Sequence, residues 1–373
     1  MLLRGMNRSC MLLLLAGCAS DYEVVPEPVE VHPGDVTPCD FTRVEGTAFW
    51  AYDCNPVFTT TGEDWAGTIG STAFAVTEVA GHPFYQLWYA GLPSSTSEGR
   101  YGLGYAVSPE GIGWEVYPDN PLLSEPSSSS AWDASNMDQL VAVWDDDTGQ
   151  YVILYQGYNL DPFINTWGLG VLTSTDGRSW SRSSDQAAFD LTQSVGQVSS
   201  WCWPLGLSLR DGGGYTGYIA GQTGNVVSIE DIRCEVYTLE ADDVSSWQPS
   251  TDRFLAAGSS GSWDDQGFGS IAVAELDGTD YLFYQGFGGW QQLDGYISSQ
   301  DHFFGMATRT GSGWQKAGDP IPLNTTTEGD VGSVAAHTIG DRIHLWITDA
   351  YDGSEGVGYF LFDPIRAEEE DAR

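Results

Sequence analysis

Four tryptophans recur at intervals of 66 or 67 residues along the chain, at Trp114, Trp180, Trp247 and Trp314. A constant interval of this length is typical of an array in which one supersecondary unit is repeated. The interval therefore predicts a repeated architecture and sharply limits the folds that are open to the chain.

A second repeated feature indicates five units. It is a run rich in tyrosine and β-branched residues that ends in a small residue or Asp. Each run follows a tight turn containing Gly or Asp, and a run of small and β-branched residues precedes each turn. Such pairs predict β-hairpins. A third strand follows in each unit, and the marker tryptophan begins a fourth. Four antiparallel strands in about 65 residues are typical of a propeller blade. The five runs are 85–91, 151–157, 215–221, 281–286 and 343–349.

The fifth unit lacks a marker tryptophan, and its missing strand is predicted at the other end of the chain. The segment Phe49–Phe58 resembles the segment that begins at Trp114 when Asn55-Pro56 is aligned with Asn120-Pro121. A strand from the N-terminus that completes the last blade would leave no free sheet edge there. The predicted fold class is therefore all-β: a five-bladed β-propeller of four-stranded antiparallel blades, with the ring closed by an N-terminal strand.

The first residues have the features of an export signal. Arg4 and Arg8 precede a short apolar run, and Leu15-Ala16-Gly17-Cys18 follows. This pattern predicts a secretory signal, and its last four residues resemble a bacterial lipobox. The resemblance implies lipidation of Cys18 and a location in the cell envelope, as an outer-membrane lipoprotein or on the cell surface. An ordinary signal peptide with a chance cysteine is the alternative.

The predicted domains are a signal (1–18), an acidic Pro-rich tether (19–40), the propeller (41–365) and an acidic tail (366–373) that is expected to be disordered. The formal net charge of −38 repels nucleic acid and anionic membrane surfaces. We therefore expect no nucleic-acid partner, contact with a membrane through the lipid alone, and a monomeric protein whose ligand is neutral.

Four cysteines lie beyond the signal, and an even number in an exported chain predicts disulfides. Three pairings are possible; we favour Cys39–Cys54 and Cys202–Cys234 because each pair is local. The histidines are scattered and no Cys-x-x-Cys occurs, so no metal site and no cofactor are predicted. Whether a structural cation is bound in the central channel is a question that the sequence leaves open.

The first strand of a propeller blade lines the central channel, and ligand sites gather at the channel mouth where that strand begins. An alignment of the five first strands by their small-residue cores assigns one mouth position to each blade. These positions are Ser71, Asp138, Trp203 or Pro204, Ser270 and Ser333.

The phrases Leu87–Gly91, Gly104–Ser108 and Asn120–Leu123, together with five blades of this length, resemble the arabinanase, levansucrase and invertase group of glycosidases. That resemblance implies three carboxylates at the mouths of the first three blades. Here only Asp138 remains, because Ser71 and Trp203-Pro204 occupy the other two places. The predicted function is to bind a neutral polysaccharide or oligosaccharide, with hydrolysis left open. The alternative is a non-catalytic surface scaffold.

Hydrolysis would need a second carboxylate beside Asp138. The candidates are Asp64, Asp133, Asp264, Asp265 and Asp330. The Trp-Asp phrases at 132–133 and 263–264 recur at equivalent places, which favours a structural role because a catalytic acid is needed once. Sugar rings stack on tryptophan, so the binding candidates, which could equally pack between blades, are Trp132, Trp167, Trp201, Trp203, Trp263 and Trp290.

Overall fold

The computed structural model describes residues 39–59, 65–92, 102–123, 130–159, 166–223, 231–293, 296–311, 313–323, 331–348 and 356–372, without the side chains of residues 92 and 290–301. The regular secondary structure of this part of the chain is almost entirely β-strand. Its one helix has eight residues, and no helix within it could cross a bilayer.

Three short strands open the described chain: β1 (Phe41–Arg43), β2 (Phe49–Tyr52) and β3 (Phe58–Thr59). The remaining strands form five antiparallel segments, which we number in chain order. Segment 1 contains β4 (Thr68–Val79), β5 (His82–Leu92), β6 (Gly102–Ser108) and β7 (Glu115–Val116). Segment 2 contains β8 (Asn136–Asp145), β9 (Gln150–Asn159), β10 (Thr166–Ser174), β11 (Ser181–Arg182) and β12 (Phe189–Asp190).

Segments 3 and 4 belong to one sheet, in which a single parallel pair, Cys234 with Gly267, joins them. Segment 3 contains β13 (Val198–Leu209), β14 (Tyr215–Thr223), β15 (Cys234–Ala241) and β16 (Trp247–Leu255). Segment 4 contains β17 (Gly267–Leu276), β18 (Thr279–Leu293), β19 (Tyr296–Thr310) and β20 (Gly313–Lys316). Segment 5 contains β21 (Val334–Ile339), β22 (Arg342–Thr348) and β23 (Gly356–Phe362), and the helix α1 (Pro364–Asp371) follows it. The predicted hairpins are therefore confirmed.

The first strands of the segments adjoin one another in the order β4, β8, β13, β17 and β21, and β21 also contacts β4. Together they line a cavity of about 80 Å³, whose walls include Ala73, Val141, Leu207, Ala272 and Ala335. Small and β-branched side chains at these positions let five strands approach a common centre. We use the term mouth for the end of this cavity at which the five first strands begin.

The marker tryptophans pack between segments. Trp180 of segment 2 lies edge-on to Trp88 of segment 1, with 5.5 Å between ring centroids. The Trp88 indole N–H donates to the carbonyl oxygen of Gly177 at 2.8 Å. Trp346 of segment 5 donates in the same way to Gly111 of segment 1 at 2.8 Å. The turns before Trp114 and Trp180 thus each contact an indole of another segment.

The N-terminal strand pairs with the last strand, as β2 lies antiparallel to β23 and Phe49 lies opposite Phe362. The Asn55 amide donates to the Tyr359 carbonyl (2.9 Å) and accepts from the Tyr359 N–H (2.7 Å). Asn120 makes the same two hydrogen bonds with Tyr105 (2.9 and 3.0 Å). The predicted alignment of the two Asn-Pro phrases is confirmed by this shared geometry.

The acidic tail is helical, and the expectation of disorder is wrong. The Asp363 carboxylate caps α1 by accepting from the Arg366 N–H at 2.9 Å, and Pro364 occupies the first helical turn. Arg43 in β1 holds the far end of the helix through two hydrogen bonds to Asp371, at 2.7 and 3.0 Å. Arg43 lies 328 residues before Asp371 along the chain. The charges of the tail alone therefore gave no sign of this ion pair.

The structure contains a disulfide between Cys39 and Cys54, one of the two that were favoured. Cys202 and Cys234 are free thiols instead of the second predicted disulfide. Their sulfur atoms lie 2.8 Å apart, so the predicted partners are neighbours although the covalent bond is absent. Cys202 lies in β13 and Cys234 in β15, the two strands that flank β14.

Two histidines form a cross-strand pair on β21 and β22. His344 Nδ1 hydrogen-bonds the Tyr359 hydroxyl at 2.6 Å, and its ring stacks on Trp346. Burial lowers the pKa of His337 to about 4 and also lowers the pKa of His344 to about 4, with Arg342 adding to the latter effect. Both side chains are therefore neutral structural groups at neutral pH.

We expect this pair to weaken the fold under mild acid. Because the folded-state pKa lies below the ordinary value of 6.5, stability is complete above pH 6.5 and falls as the pH drops toward 4. At pH 5 the loss should be about 2 kcal/mol for each buried histidine. Urea unfolding of the wild type and of His337→Asn at pH 7.5 and pH 5 measures it. The variant should lose less stability than the wild type, and parallel losses would contradict the assignment.

Candidate functional site

Irregular pairing marks the mouth ends of the first strands. The register shifts between Ile69 and Thr72 in β4, between Asp138 and Val141 in β8, and between Phe268 and Ser270 in β17. β13 shifts more than once near its start. A β-bulge changes the direction of side chains and leaves backbone groups unpaired. At the mouth, the directions of the side chains therefore depart from the regular alternation of a strand.

The three mouth serines bind neighbouring backbone. Ser71 Oγ accepts from the N–H of Leu140 (3.1 Å), Ser333 Oγ accepts from Thr72 (3.1 Å), and Ser270 Oγ accepts from Val334 (3.0 Å). Each bond joins one segment to the next. We call these three bonds the serine bridges. Ser71 and Ser270 are buried, with 1% and 7% of their surfaces exposed, so they join segments and do not face a ligand.

The serine bridges also correct the alignment of the mouth. Leu140, Thr72 and Val334 donate the equivalent N–H groups, so the residue of segment 2 that matches the serines is Gln139. Asp138 lies one residue earlier. The residues at this position in segments 1, 4 and 5 are Gly70, Gly269 and Gly332. Asp138 thus takes the place of a glycine, and the sequence alignment was displaced by one in segment 2.

The Asp138 carboxyl group lies half-buried at the start of β8. Burial raises its pKa above the usual range, and hydrogen bonds from the Gln139 N–H and from Ser71 offset part of that rise. The Gln139 N–H reaches Asp138 Oδ1 at 2.7 Å. A raised pKa extends the pH range over which the carboxyl group keeps its proton and can donate a hydrogen bond.

An aromatic platform lies beside Asp138. Tyr158 is near enough for the Asp138 charge to help raise its pKa, a rise that is caused first by burial. The Asn136 amide donates to the Tyr158 hydroxyl at 2.7 Å. Trp167 stacks on Tyr158 with 4.5 Å between centroids and an interplanar angle of 21°. Trp167 is 38% exposed, so one surface of its ring is open to solvent while the other is supported.

Asn136 and Tyr158 were missed by the sequence reasoning. Asn136 precedes Asp138 by two residues on the same strand, and Tyr158 lies opposite Asn136 on β9. Period-two spacing along a strand would have put Asn136 on the same side as Asp138. Gln156, opposite Asp138, donates to the carbonyl oxygen of Cys202 at 2.6 Å and so links segments 2 and 3.

Asp133 and Asp264 are buried ion-pair partners. Asp133 accepts from Arg182 Nε at 3.1 Å and from the Tyr155 hydroxyl at 2.8 Å. Asp264 accepts from Lys316 Nζ at 2.6 Å. Their side chains are 2% and 5% exposed. A carboxylate that is held by a buried cation is not free to exchange protons with a ligand.

Segment 1 shows what replaces this ion pair. The position of Asp133 and Asp264 is held there by Ala66, and the position of Arg182 and Lys316 is held by Val116. Ala66 and Val116 pack in one apolar cluster. The acid and the cation are therefore present together or absent together, as expected of a structural pair. Both predictions of a catalytic role, for Asp133 and for Asp264, are at odds with this geometry.

The tryptophans before these acids are structural as well. Trp132 stacks on Tyr155 and Trp263 on Tyr284, at 5.8 and 5.5 Å, as Trp65 does on Tyr89 at 5.7 Å. Their rings pack against glycines of the second strand so closely that no side chain would fit there.

Trp201 is also buried, with 5% of its surface exposed, between Phe189 and Tyr237. Trp203 is partly exposed, and its indole N–H donates to the Phe268 carbonyl oxygen at 3.2 Å. Of the predicted tryptophans whose side chains the structure describes, Trp167 is the one that is exposed.

The remaining predicted site residues have other places. Asp265 accepts from the N–H of Gly261 at 2.7 Å. Cys18, Asp64, Asp330 and the side chain of Trp290 lie outside the described residues. Among the residues that the structure does describe, no group of three or more His, Cys, Asp and Glu side chains could hold a metal ion.

We expect the apolar pair of segment 1 to substitute for the ion pair of segment 4. Asp264→Ala alone leaves the half-buried Lys316 ammonium without its partner and should cost up to about 3 kcal/mol of unfolding free energy, the lower end of the range for breaking a fully buried pair. Adding Lys316→Val recreates the Ala66–Val116 combination and should recover most of that loss. Denaturant unfolding of both variants measures it. A double variant no more stable than Asp264→Ala would contradict the structural assignment.

No protein-family model matches the sequence, and no curated protein matches it. Solved structures do match the fold. One is a GH130 glycoside hydrolase described as targeting β-1,2-mannosidic linkages in Candida mannan, at 16% identity and a TM-score of 0.57, covering 89% of this chain and 96% of that one. Another is the β-1,2-mannobiose phosphorylase of Listeria innocua in complex with β-1,2-mannobiose (12%, 0.58, 86% and 98%).

A third is a glycosyl hydrolase from Bacteroides ovatus (17% identity, TM-score 0.58, 87% of this chain and 94% of that one). These neighbours belong to glycoside hydrolases and mannoside phosphorylases, and the comparison does not single out the arabinanase, levansucrase and invertase group of the sequence resemblance. At identities of this size the similarity concerns the fold. The chain thus has the antiparallel, propeller-like β-fold that glycosidases and phosphorylases use.

Proposed function

We propose that the five segments are the blades of a five-bladed propeller, that β2 closes the ring, and that the mouth binds a neutral glycan. The contacts of β4 with both β8 and β21 support a closed order of blades. The pairing of β2 with β23 gives segment 5 an outer strand from the N-terminal part of the chain. In the other segments the outer strand directly follows the third strand in sequence.

The observation that carries this function is the Trp167–Tyr158 platform beside Asp138. Sugar rings offer C–H faces that stack on an indole, and their hydroxyl groups need polar partners at the edge of the stack. Trp167 offers an exposed ring that Tyr158 supports from behind. Asn136 and Asp138 supply an amide and a carboxyl group on the adjacent strand.

The charges of the described residues favour a neutral ligand. A phosphorylase must hold phosphate, and an anion site is ordinarily built from basic side chains. Arg182, Arg253 and Lys316 are instead engaged by Asp133, Glu235 and Asp264. With a formal net charge of −38, the protein as a whole repels anions. Binding of an uncharged oligosaccharide or polysaccharide fits this field better than phosphorolysis.

Hydrolysis is the second candidate, because the pKa of Asp138 is shifted upward, which is the direction that a general acid needs. A glycosidase also needs a second carboxylate. The described acids Asp133, Asp264 and Asp265 are engaged in structural contacts. In this version of the proposal, Asp64 or Asp330 supplies the second group. A scaffold that binds no glycan is the rival reading.

Replacing the platform should remove glycan binding and leave the fold intact. We expect Trp167→Ala to weaken binding about tenfold, since an aromatic stacking contact contributes about 0.5–1.5 kcal/mol beyond the area it buries and about 1.4 kcal/mol is a tenfold change in affinity. Trp144→Ala is the matched control, because Trp144 packs against Tyr151, with 4.4 Å between ring centroids, at the opposite end of segment 2. A glycan array followed by calorimetry on the best neutral ligand measures both. Equal affinities of the two variants would contradict a site at the mouth.

Asp138→Asn separates binding from turnover. The amide keeps the shape of the side chain and removes its proton chemistry, so a glycan-binding protein should retain affinity within about tenfold. Incubation of wild type and variant with the bound glycan, with product detection by chromatography, distinguishes the two candidates. Release of sugar by the wild type alone establishes hydrolysis, and release by neither leaves binding as the function.

We also propose that lipid on Cys18 anchors the protein in the cell envelope. The lipobox-like Leu15-Ala16-Gly17-Cys18 after a basic and apolar stretch supports the anchor. Cys18→Ser should release the protein from the membrane fraction of an expressing bacterium and abolish labelling by radioactive palmitate. A Cys10→Ser variant is the matched control and should stay in the membrane fraction. Equal membrane retention of both variants would contradict the anchor.

A further inference from the structure

In segment 3 a thiol takes the place of the Trp167 indole. One residue past the glycine that ends each aligned second-strand run, Tyr158 lies opposite Trp167 and Gln222 lies opposite Cys234. Cys234 is buried, with 1% of its surface exposed, whereas Cys202 near the start of β13 is partly exposed. The mouth of segment 3 therefore carries two thiols, one of which solvent can reach.

The two sulfur atoms lie closer together than a regular sheet allows. Cys202 and Cys234 are on strands that β14 separates, and strands on either side of a third are about 9.5 Å apart. Disulfide-bonded cysteines ordinarily have Cα atoms about 4.4–6.8 Å apart. The register of β13 shifts between Trp201 and Pro204 and again before Gly206, so the backbone at Cys202 leaves the regular course of the strand. The Sγ atoms of Cys202 and Cys234 are 2.8 Å apart in this arrangement.

The backbone of each cysteine contacts a different neighbouring segment. The Cys202 carbonyl oxygen accepts from the Gln156 side chain of segment 2 at 2.6 Å. The Cys234 N–H donates at 2.9 Å to the carbonyl oxygen of Gln266, which immediately precedes segment 4, and Cys234 pairs with Gly267. A bond between the two sulfur atoms would therefore connect the contact with segment 2 to the contact with segment 4.

The two thiols differ in their access to reagents. The hydrogen-bonding contact with Cys202 and burial both raise the pKa of the Cys234 thiol, so this group stays protonated. Thiol–disulfide exchange requires a thiolate that can reach the sulfur of the attacked disulfide. The partly exposed Cys202 is therefore the residue at which an external disulfide can react first.

We propose that Cys202 and Cys234 are a reversible dithiol–disulfide pair, which a small organic disulfide closes by reacting first at Cys202. An S–S bond is about 2.05 Å long, so the two sulfur atoms need only a small further approach. Closure links segments 2, 3 and 4 at the mouth, and the rigidity of this joint depends on the redox state of the surroundings. The proposal does not depend on glycan binding.

The exchange has two steps. The Cys202 thiolate attacks the external disulfide, which forms a mixed disulfide and releases one thiolate. Cys234 then attacks the Cys202 sulfur and expels the second thiolate. Each released thiolate takes up a proton that a cysteine has lost, so one disulfide is reduced to two thiols while the two cysteines are oxidised to one disulfide.

Oxidised glutathione is the probe for closure. The wild type, purified in a mild reductant and then desalted, is treated with oxidised glutathione, alkylated with N-ethylmaleimide and analysed by peptide mapping. We expect peptides linked through Cys202 and Cys234, and we expect dithiothreitol to separate them again under native conditions. Alkylation of both cysteines after the glutathione treatment would overturn the proposal, and a link that dithiothreitol leaves intact would overturn its reversibility.

Single variants test the order of the two steps. Cys234→Ser lacks the second thiol, so glutathione should remain attached to Cys202. Cys202→Ser retains only the buried thiol of the pair, and at least about tenfold less glutathione should become attached to Cys234 in the folded protein. Equal attachment in the two variants would contradict entry through Cys202.

Closure should also stabilise the protein. The two cysteines are 32 residues apart in sequence, and we expect oxidised glutathione to raise Tm of the wild type by about 5 °C. Cys202→Ser is the matched control, because it keeps the Cys39–Cys54 disulfide, and its Tm should not change. An equal rise in both proteins, or an unchanged Tm in a wild type whose mapping shows the closed bond, would contradict the effect on the joint.

Discussion

The hydrogen bonds between neighbouring first strands are the constraint on which the mouth depends. Five strands approach a narrow cavity, and their irregular starts leave backbone N–H groups that cannot all pair within their own segment. A buried donor without a partner is costly. The hydroxyls of Ser71, Ser270 and Ser333 accept three of these N–H groups from the next segment, so polar satisfaction and the joining of segments are achieved by the same atoms.

Much of the fold was predictable because the repeat is written in local patterns. The marker tryptophans, the tyrosine-rich strands and the two Asn-Pro phrases recur at a nearly fixed interval along the chain, and the pairing of Asn55 with Tyr359 follows from that alignment. The tail was not predictable in this way, because Arg43 lies at the other end of the chain. The mouth alignment was displaced by one at Asp138, since a bulge adds a residue without any mark in the sequence.

Recurrence within one chain separates structural residues from candidates for function. Asp133 and Asp264 look like active-site acids when each is considered alone, since both are buried carboxylates in an aromatic environment. Segment 1 lacks both the acid and the cation and still has Trp65 stacked on Tyr89. Asp138 has the opposite behaviour: its counterparts in three other segments are glycines, and the residue after it departs from the bridge-forming serine. Asp138 is distinguished from Asp133 and Asp264 because it has no acidic counterpart in the aligned segments, and this difference marks it as the candidate for a functional role.

The size of the central cavity has a consequence for how a glycan could be bound. At about 80 Å³, the space between the first strands is well below the volume of ordinary small-ligand pockets, which is about 300–1,000 Å³. It can admit a few waters but no sugar chain. Any glycan would therefore have to bind outside this space, at the ends of the first strands, and the residues that line the cavity itself would act by holding the five strands together.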